Sequence, residues 1–239
     1  MDLNNKVAIV TGASKGIGRS ISIFLAKQGV KVVLAARTKE KLEETQNIIT
    51  SFKGTSIIVP TDISKDNEII NLFKITKKEF GRLDILINNA GTVVRGKLVD
   101  FSTNDYDKIM NVNLKGVFIC CQQALKIMIS QKSGFIINIG SNIVFKNYPE
   151  QGVYAASKHG IVGITKTIAN EVQHYGIHTA LIHPGAADTE LISQARPDLG
   201  RSALIPPDDI AKTVLYMLQL SDNSWVDEIY LRRRTAKPS

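Results

Sequence analysis

Cysteine is almost absent from this 239-residue chain, which has only Cys120 and Cys121. Adjacent cysteines rarely form an unstrained disulfide, and within a helix their side chains point in different directions. We therefore expect two semi-buried thiols in a reducing compartment, with no redox pair and no metal site. The scarcity of cysteine excludes the small secreted folds that depend on several disulfides.

Long hydrophobic runs are also missing. The longest, such as residues 135–139, are too short to span a bilayer. The first ten residues have no basic region followed by a small-residue cleavage site, so we expect no signal peptide, no membrane partner and a cytoplasmic location. With 44% hydrophobic and 22% charged residues, the composition is typical of a globular protein, and the length predicts one domain over residues 1–239.

Histidine is scarce as well, with four residues in the chain. His174, His178 and His183 have no carboxylate or cysteine neighbours at metal-ligand spacing, which predicts that the protein holds no metal.

Positive charge is in excess, because 30 basic residues stand against 22 acidic ones. Most basic residues are dispersed over predicted helix faces, so we expect no nucleic-acid partner. The densest cluster, Arg232–Arg234, lies near the C-terminus. We interpret it as a solvated end. The alternative is attraction to an acidic ligand, such as a phosphorylated cofactor or an acidic carrier protein.

Strand and helix patterns alternate along the chain. The strand segments are continuous runs of Val, Ile and Leu, which is typical of parallel strands buried on both faces. The pattern predicts an α/β doubly wound parallel sheet of about seven strands with helices on both faces. Strands are expected at 7–12, 31–36, 55–60, 83–91, 134–140, 177–183 and 226–231. Helices are expected at 16–28, 39–52, 65–80, 103–131, 152–175 and 207–220. Residues 186–206 have no clear pattern and are expected to form a binding loop.

Three glycines join the first strand to the first helix in a G-x-x-x-G-x-G pattern. Gly12 permits a tight turn, Gly16 a close approach of backbone N–H groups to a pyrophosphate, and Gly18 close packing of the helix on the strand. Glycines also serve ordinary turns, but this position predicts a dinucleotide site that includes the intervening Ser14, Lys15 and Ile17.

Arg37 ends the second strand, where NAD sites commonly have a carboxylate for the ribose hydroxyls. A guanidinium there can bind a 2′-phosphate, and Lys15 could reach the same group. NADP(H) is therefore favoured over NAD(H). The alternative is that Arg37 is an ordinary surface arginine.

Tyr154 and Lys158 are four residues apart in a predicted helix, so they share a face with about 6 Å of rise between them. The lysine charge is expected to lower the pKa of the phenol from about 10 toward neutrality, which suits it to exchange protons with a substrate oxygen. Ser141 ends an apolar run upstream. The alternatives are a half-buried core tyrosine and a serine in a strand-end turn.

In this order along the chain, the motifs resemble those of the short-chain dehydrogenase/reductase family. The matching pieces are residues 11–18 (TGASKGIG), Asp62–Ile63, Asn88–Gly91, Asn113, Ser141, residues 154–158 (YAASK), Pro184–Gly185 and Thr189. The resemblance implies a single Rossmann-type domain and an NADP(H)-dependent oxidoreductase. Within the family it leans toward a 3-oxoacyl-[acyl-carrier-protein] reductase or a broad carbonyl/alcohol oxidoreductase.

The resemblance also implies roles for residues that bind the cofactor. Asp62 and the backbone at Ile63 would contact the adenine; Asn89, Ala90 and Gly91 would line the adenosine ribose; Pro184, Gly185 and Thr189 would hold the nicotinamide. The alternatives are that Asp62 caps a helix, and that Asn88–Asn89 and Pro184–Gly185 form ordinary turns.

For catalysis, the resemblance makes Tyr154 the general acid/base and Ser141 the group that holds the carbonyl oxygen. Lys158 would lower the pKa of the tyrosine and bind the nicotinamide ribose. Asn113 would anchor a water that links Lys158 to solvent. His159 follows the lysine but lies off the Tyr–Lys face, so it is interpreted as structural or substrate-adjacent.

The chain departs from the family at its end, where DEIYLRRRTAKPS replaces the usual glycine pair after the last strand. Contacts between subunits through the C-terminus are therefore not carried over. The expected partners are a small carbonyl or alcohol substrate and, as a second possibility, acyl carrier protein. A homodimer or homotetramer would pair through helices 103–131 and 152–175. Their apolar residues could equally cover the sheet: Val117, Phe118, Ile161 and Ile164.

A different class of function stays open at this point. A catalytically idle Rossmann-type module could sense NADP(H) or bind nucleic acid through its basic surface. The complete Ser–Tyr–Lys set argues against it, because a sensor has no need of a proton donor.

Overall fold

A computed structural model describes residues 2–195, 199–221 and 223–236 of the chain. Seven strands form one parallel sheet: β1 (Val7–Thr11), β2 (Lys31–Ala36), β3 (Ser56–Pro60), β4 (Ile85–Asn88), β5 (Gly134–Ile139), β6 (Ile177–Pro184) and β7 (Glu228–Leu231). Their spatial order is β3-β2-β1-β4-β5-β6-β7. The order reverses between β1 and β4, and a crevice opens beyond the carboxyl ends of the strands at such a point.

Helices cover both faces of the sheet, as predicted. They are α1 (Gly16–Lys27), α2 (Lys39–Ser51), α3 (Asp66–Phe80), α4 (Thr103–Met110), α5 (Gly116–Gln131), α6 (Gly152–Val172), α7 (Glu190–Ala195) and α8 (Pro207–Leu218). Side chains of α1, α2 and α8 form one apolar core with the sheet. Those of α3, α5 and α6 form the other.

The alternation of side chains along a strand explains the two cores. In β1, Ala8 and Val10 pack with Ile21 of α1, whereas Ile9 between them packs with Leu72 of α3. All five β1 residues are buried, which is why the strand reads as an unbroken apolar run.

The long predicted helix 103–131 contains a π-helical turn at Asn111–Lys115 that separates α4 from α5. By length and composition alone, Thr103–Gln131 could cross a membrane, contrary to the expectation from the shorter apolar runs. Its apolar side chains, however, pack against the sheet, including Val117 and Met128. It is built as a core helix of this fold.

Other predicted boundaries shift by a few residues. The pairing of β4 ends at Asn88, and the residues after it form a loop. Helix α6 ends at Val172 and continues as a 3₁₀ turn, Gln173–Tyr175. The patternless segment 186–206 contains α7 and a 3₁₀ turn at Arg201–Ala203.

Both cysteines are fully buried rather than semi-buried. Burial raises the pKa of both thiols, that of Cys121 to about 12, although hydrogen bonds with Asn138 and Asn88 act in the opposite direction. Neither thiol is suited to redox or nucleophilic chemistry near neutral pH.

A chain of buried polar side chains ties α6 to the sheet. Asn88 Nδ2 in β4 donates to Asn138 Oδ1 in β5 at 2.8 Å. Asn138 Nδ2 donates in turn to Thr165 Oγ1 in α6 at 2.8 Å. Because buried polar groups tolerate few alternative partners, these bonds set where α6 lies over the carboxyl edge of the sheet.

Candidate active site

A cavity of about 1440 Å³ runs along the carboxyl edge of the sheet. It is lined by every catalytic or cofactor-binding residue predicted from the sequence except two. These two, Gly18 and Asn113, are buried and do not line it. The lining residues are Gly12, Ser14, Lys15, Gly16, Ile17, Arg37, Asp62, Ile63, Asn89, Ala90, Gly91, Ser141, Tyr154, Lys158, Pro184, Gly185 and Thr189.

The glycine turn has the geometry that its spacing suggests. Gly12 and Gly16 have φ of +67° and +54°, a region that side chains disfavour. A Cβ at Gly18 would lie 2.2 Å from the carbonyl oxygen of Gly12, so α1 could not approach β1 with any larger residue there. The side chain of Lys15, at the N-cap, makes no cap hydrogen bond to α1. The first N–H groups of α1 therefore have no acceptor from the N-cap side chain.

Asn89 supports this turn. Its Nδ2 donates to the carbonyl oxygen of Thr11 at 2.9 Å, and its backbone N–H and that of Ala90 donate to Thr11 Oγ1. These bonds join the ends of β1 and β4. Contact of Asn89 with a ribose stays a prediction.

The Arg37 end of the cavity differs from the expectation in one respect. The sequence has no carboxylate at the end of β2, but the neighbouring β3 brings Asp62 within electrostatic reach of Arg37. Partial burial acts to raise the pKa of Asp62, but hydrogen bonds from Ser64 and the charges of Arg37 and Lys65 outweigh it and hold the pKa below its usual value. Asp62 therefore lines the cavity and also forms a local turn with Ser64 before α3.

Lys15 has a carboxylate partner in the structure. Its ammonium pairs with Glu190 at the start of α7. Nearby, a Cβ on Gly16 would lie 3.0 Å from Thr189 Cγ2. The glycine turn and the segment after β6 thus meet across the middle of the cavity, and the reach of Lys15 to a 2′-phosphate stays a prediction.

Tyr154 and Lys158 lie one turn apart on α6 and face Ser141 across the end of β5. Lys158 is 4% exposed, and its Nζ donates to the carbonyl oxygen of Ile139 at 2.9 Å. Its Nζ is 5.8 Å from the centre of the Tyr154 ring.

The pKa values reverse part of the expectation. Burial raises the pKa of Tyr154, and a hydrogen bond with Ser141 offsets the increase only in part. Burial lowers the pKa of Lys158 to about 8. The expected lowering of the phenol pKa by the lysine is therefore wrong, because desolvation of both groups dominates.

Asn113 occupies the π-helical turn and is completely buried. Its Oδ1 accepts from the backbone N–H of Thr92 at 2.8 Å, and its Nδ2 donates to Thr92 O and Ser157 Oγ. It joins the loop after β4 to α6 beside Lys158. Its predicted role as a water anchor stays a prediction.

His183 lies behind Ser141. Its Nδ1 is 3.2 Å from the carbonyl oxygen of Ser141, and its Nε2 is 2.9 Å from Glu228 Oε1. Burial lowers the pKa of His183 despite the nearby carboxylate. Over the described part of the chain, no three His, Cys, Asp or Glu side chains are grouped to hold a metal ion.

From the sequence, residues 142–150 are indicated only as a region that helps to choose the substrate, and most individual residues at the Ser141 end of the cavity are not identified. The segment between β5 and α6 contributes Asn142, Lys146, Tyr148 and Gln151, and β7 with the residues after it contributes Tyr230, Arg232, Arg233 and Thr235. Among the residues after β7, only the arginine cluster is conspicuous in the sequence, where we interpret it as a solvated end. The structure instead places Arg232 and Arg233 in the cavity wall.

The chain is similar to known oxidoreductases over almost its whole length. Uncharacterized oxidoreductases of Staphylococcus aureus strain USA300 and Staphylococcus saprophyticus are 38% and 36% identical to it, over 96% and 97% of this chain and 98% and 99% of theirs.

Solved structures agree with this likeness. A metagenomic short-chain oxidoreductase in complex with NADP has a TM-score of 0.87 and 31% identity, covering 97% of this chain and 99% of that one. A levodione reductase has a TM-score of 0.88 and 30% identity, and the match covers 95% of this chain and 96% of that one. An alcohol dehydrogenase of Thermococcus sibiricus complexed with 5-hydroxy-NADP has a TM-score of 0.91 and 26% identity, and the match covers 99% of this chain and 100% of that one.

The sequence model of the family described as short chain dehydrogenase matches residues 6–200. With the parallel sheet and the ordered motifs, this match establishes the chain as an oxidoreductase that belongs to the short-chain dehydrogenase family.

Proposed function

We propose that the protein transfers a hydride between NADP(H) and a small carbonyl or alcohol substrate, with Tyr154 as the general acid/base. The observation that carries the proposal is the placement of Ser141, Tyr154 and Lys158 in one cavity with the glycine turn. Structural neighbours in complex with NADP and 5-hydroxy-NADP support the choice of cofactor.

The residues present fit such a cofactor. Gly16 leaves space beside the first N–H groups of α1 for a pyrophosphate, and a side chain there would meet Thr189. Arg37 lies at the far end of the cavity, where a guanidinium would bind a 2′-phosphate. Asp62 and Ile63 would flank the adenine, Asn89 to Gly91 the ribose, and Pro184, Gly185 and Thr189 the nicotinamide.

In the reduction, the bound cofactor supplies a hydride to the carbonyl carbon. Tyr154 donates its phenolic proton to the carbonyl oxygen, and the raised pKa means that the phenol still carries that proton at neutral pH. Ser141 hydrogen-bonds the same oxygen as negative charge develops on it. In the reverse direction the phenolate accepts the proton from the alcohol.

Lys158 and Asn113 support this step. The Lys158 ammonium is fixed on Ile139 O and adds positive charge beside Tyr154. Asn113 holds Thr92 and Ser157, which flank the lysine. A water route from this group to solvent would return the proton to the tyrosine after each turnover.

A panel of substrates tests whether the protein reduces a 3-oxoacyl thioester or a broader range of carbonyl compounds. It should contain aldehydes, diketones, β-ketoesters and a 3-oxoacyl thioester, offered free and on acyl carrier protein. We expect Tyr154→Phe to lower kcat by about 10²- to 10⁴-fold for every substrate that the wild type reduces, because it removes only the proton donor. NADPH oxidation measured by absorbance gives the rates, and fluorescence gives NADPH binding, which the variant should retain.

Tyr216→Phe is the matched control, since Tyr216 is an exposed tyrosine on α8 outside the cavity. Turnover that survives Tyr154→Phe would refute the role of Tyr154 as the general acid/base. NADPH binding without turnover of any substrate would refute the proposed catalysis and favour an idle cofactor-binding module.

The oligomer is a separate part of the proposal. Phe118 on α5 is 48% exposed and Ile164 on α6 is half-buried, so both are available to a second copy of the chain. Val117 and Ile161 are buried in the core, as the alternative interpretation expects. We propose a homodimer or homotetramer through α5 and α6, which light scattering would measure.

A further inference from the structure

The chain after β7 turns along the cavity instead of leaving the domain. Leu231 pairs with Pro184 of β6, and the backbone N–H of Gly185 donates to Leu231 O at 2.8 Å. Ala236 N–H then donates to Arg233 O, which closes a turn over residues 233–236. A Cβ at Gly185 would lie 3.7 Å from Arg233 N, so this turn packs directly beside Gly185.

The strand order separates the positive charge of the cavity into two groups. Arg37 follows β2 and Arg232 follows β7, five strand spacings apart, or about 24 Å at about 4.8 Å per strand. Ser141 follows β5 and is only two spacings, about 10 Å, from the end of β7. The arginines after β7 are therefore on the substrate side of the catalytic group, too far from Arg37 to share one phosphate with it.

The cavity's carboxylates do not neutralise these arginines. Asp188 pairs with Arg201, and Glu190 pairs with Lys15. Asp62 lies at the opposite end. Among the residues that the structure describes, no carboxylate forms an ion pair with Arg232 or Arg233.

A third cation shares this end of the cavity. Lys146 follows the 3₁₀ turn Asn142–Val144, and the structure describes no carboxylate within ion-pair distance of its ammonium. The adjacent ring of Phe145 packs 5.0 Å from that of Tyr230, which joins this turn to β7. The packing brings Lys146 to the same side of the catalytic group as the two arginines.

We propose that the substrate is a ketone or secondary alcohol that carries a carboxylate, and that Arg232 and Arg233 bind this carboxylate while the carbonyl meets Ser141 and Tyr154. The inference rests on the proposed function and specifies its substrate class. A guanidinium presents a planar pair of donors that matches a carboxylate, and Arg233 is half-buried, where such a bond is screened less than at an open surface.

The test compares methyl-ketone carboxylates, with two to four methylene groups between the carbonyl and the carboxylate, with their methyl esters. Each pair differs in charge at one end and keeps the same reacting carbonyl. We expect the wild type to have a kcat/KM about 10- to 100-fold higher for the best acid than for its ester. Arg232→Gln with Arg233→Gln should abolish this preference through the KM of the acid.

Arg234→Gln is the matched control, because Arg234 is the neighbouring exposed arginine and does not line the cavity. It should leave the acid-to-ester ratio as in the wild type. Equal kcat/KM for acids and esters in the wild type, or an unchanged preference in the double variant, would overturn the inference. Preference for the 3-oxoacyl thioester over every acid would also overturn it, because the thioester offers no free carboxylate to the arginines.

Binding provides a readout that does not require turnover. Calorimetry should detect the acids, and not the esters, on the complex of the enzyme with NADP⁺, and the double variant should lose this binding. If esters are reduced in a Tyr154-dependent manner without any preference for acids, the carboxylate inference fails and the proposed function stands. If no ketone is reduced, the proposed function fails, and calorimetry alone then supports or overturns carboxylate binding.

Discussion

The two ends of the cavity are built differently. At the cofactor end, backbone atoms define the surface: Gly12 and Gly16 have positive φ, and Gly18 lies against the carbonyl of Gly12. At the substrate end, side chains on a turn and on the C-terminal segment define it, among them Lys146 and Arg232. A backbone surface allows few substitutions, whereas a side-chain surface can change without moving the sheet. We therefore expect packing to constrain the glycine end of the cavity, whereas the Ser141 end is free to vary.

The largest expected effect tests the rigidity of the cofactor end. In Gly18→Ala the new Cβ would lie 2.2 Å from backbone, which cannot rotate away as a side chain could. We expect a loss of about 3 kcal/mol in the free energy of unfolding, measured in urea, together with a loss of NADPH binding.

Gly163→Ala is the control for this substitution. Gly163 lies on α6 with no atom within 4 Å of its Cβ position, and alanine there should stabilise by about 0.5–1 kcal/mol. A Gly18→Ala variant as stable as the wild type would remove the contrast between the two ends.

The second expected effect is a pH dependence of the free energy of unfolding that comes from Lys158. Its pKa is lowered to about 8 from 10.5, so the folded state binds fewer protons than the unfolded state between these pH values. Stability is lost as the pH falls from about 10.5 to about 8. Relative to Lys158→Met, which cannot titrate there, the wild type should gain up to about 3 kcal/mol over this range as the pH rises.

Urea unfolding of both proteins at pH 7 and pH 10 measures this difference. If the difference in the free energy of unfolding between the two proteins does not change with pH, the Lys158 ammonium is not desolvated in the folded protein.

The smallest expected effect sharpens the role of the cation at the cofactor end. Arg37→Ala should weaken NADPH binding by about 10- to 100-fold, because one charge-assisted contact to the 2′-phosphate is lost. NADH lacks that phosphate and serves as the internal control in a fluorescence titration. An equal loss for both cofactors would contradict the assignment of Arg37 to the 2′-phosphate.

Much of the fold was predictable because its signals are local. Continuous Val and Ile runs such as β1 identify buried parallel strands, and a glycine directly after the predicted helix 65–80, Gly81, ends α3 with a positive φ. The turn of Gly12 to Gly18 is likewise a local feature, since each glycine meets a requirement of the adjacent backbone.

What could not be predicted depends on neighbours distant in sequence. Asp62 reaches Arg37 because β3 lies beside β2, and Asn113 is engaged by Thr92, 21 residues away. The pKa of Tyr154 rises because the folded chain buries the phenol. A motif places the lysine near the tyrosine but does not reveal how much water remains around them.

By itself, the sequence determined the order of strands and helices, the glycine turn and the pairing of Tyr154 with Lys158 on one helix face. Short-range sterics and hydrophobic periodicity are enough for each of these. Only the tertiary structure decided that Arg232 and Arg233 line the Ser141 end of the cavity. Their position depends on the register of β7 against β6, a contact between segments about 47 residues apart that no local pattern records.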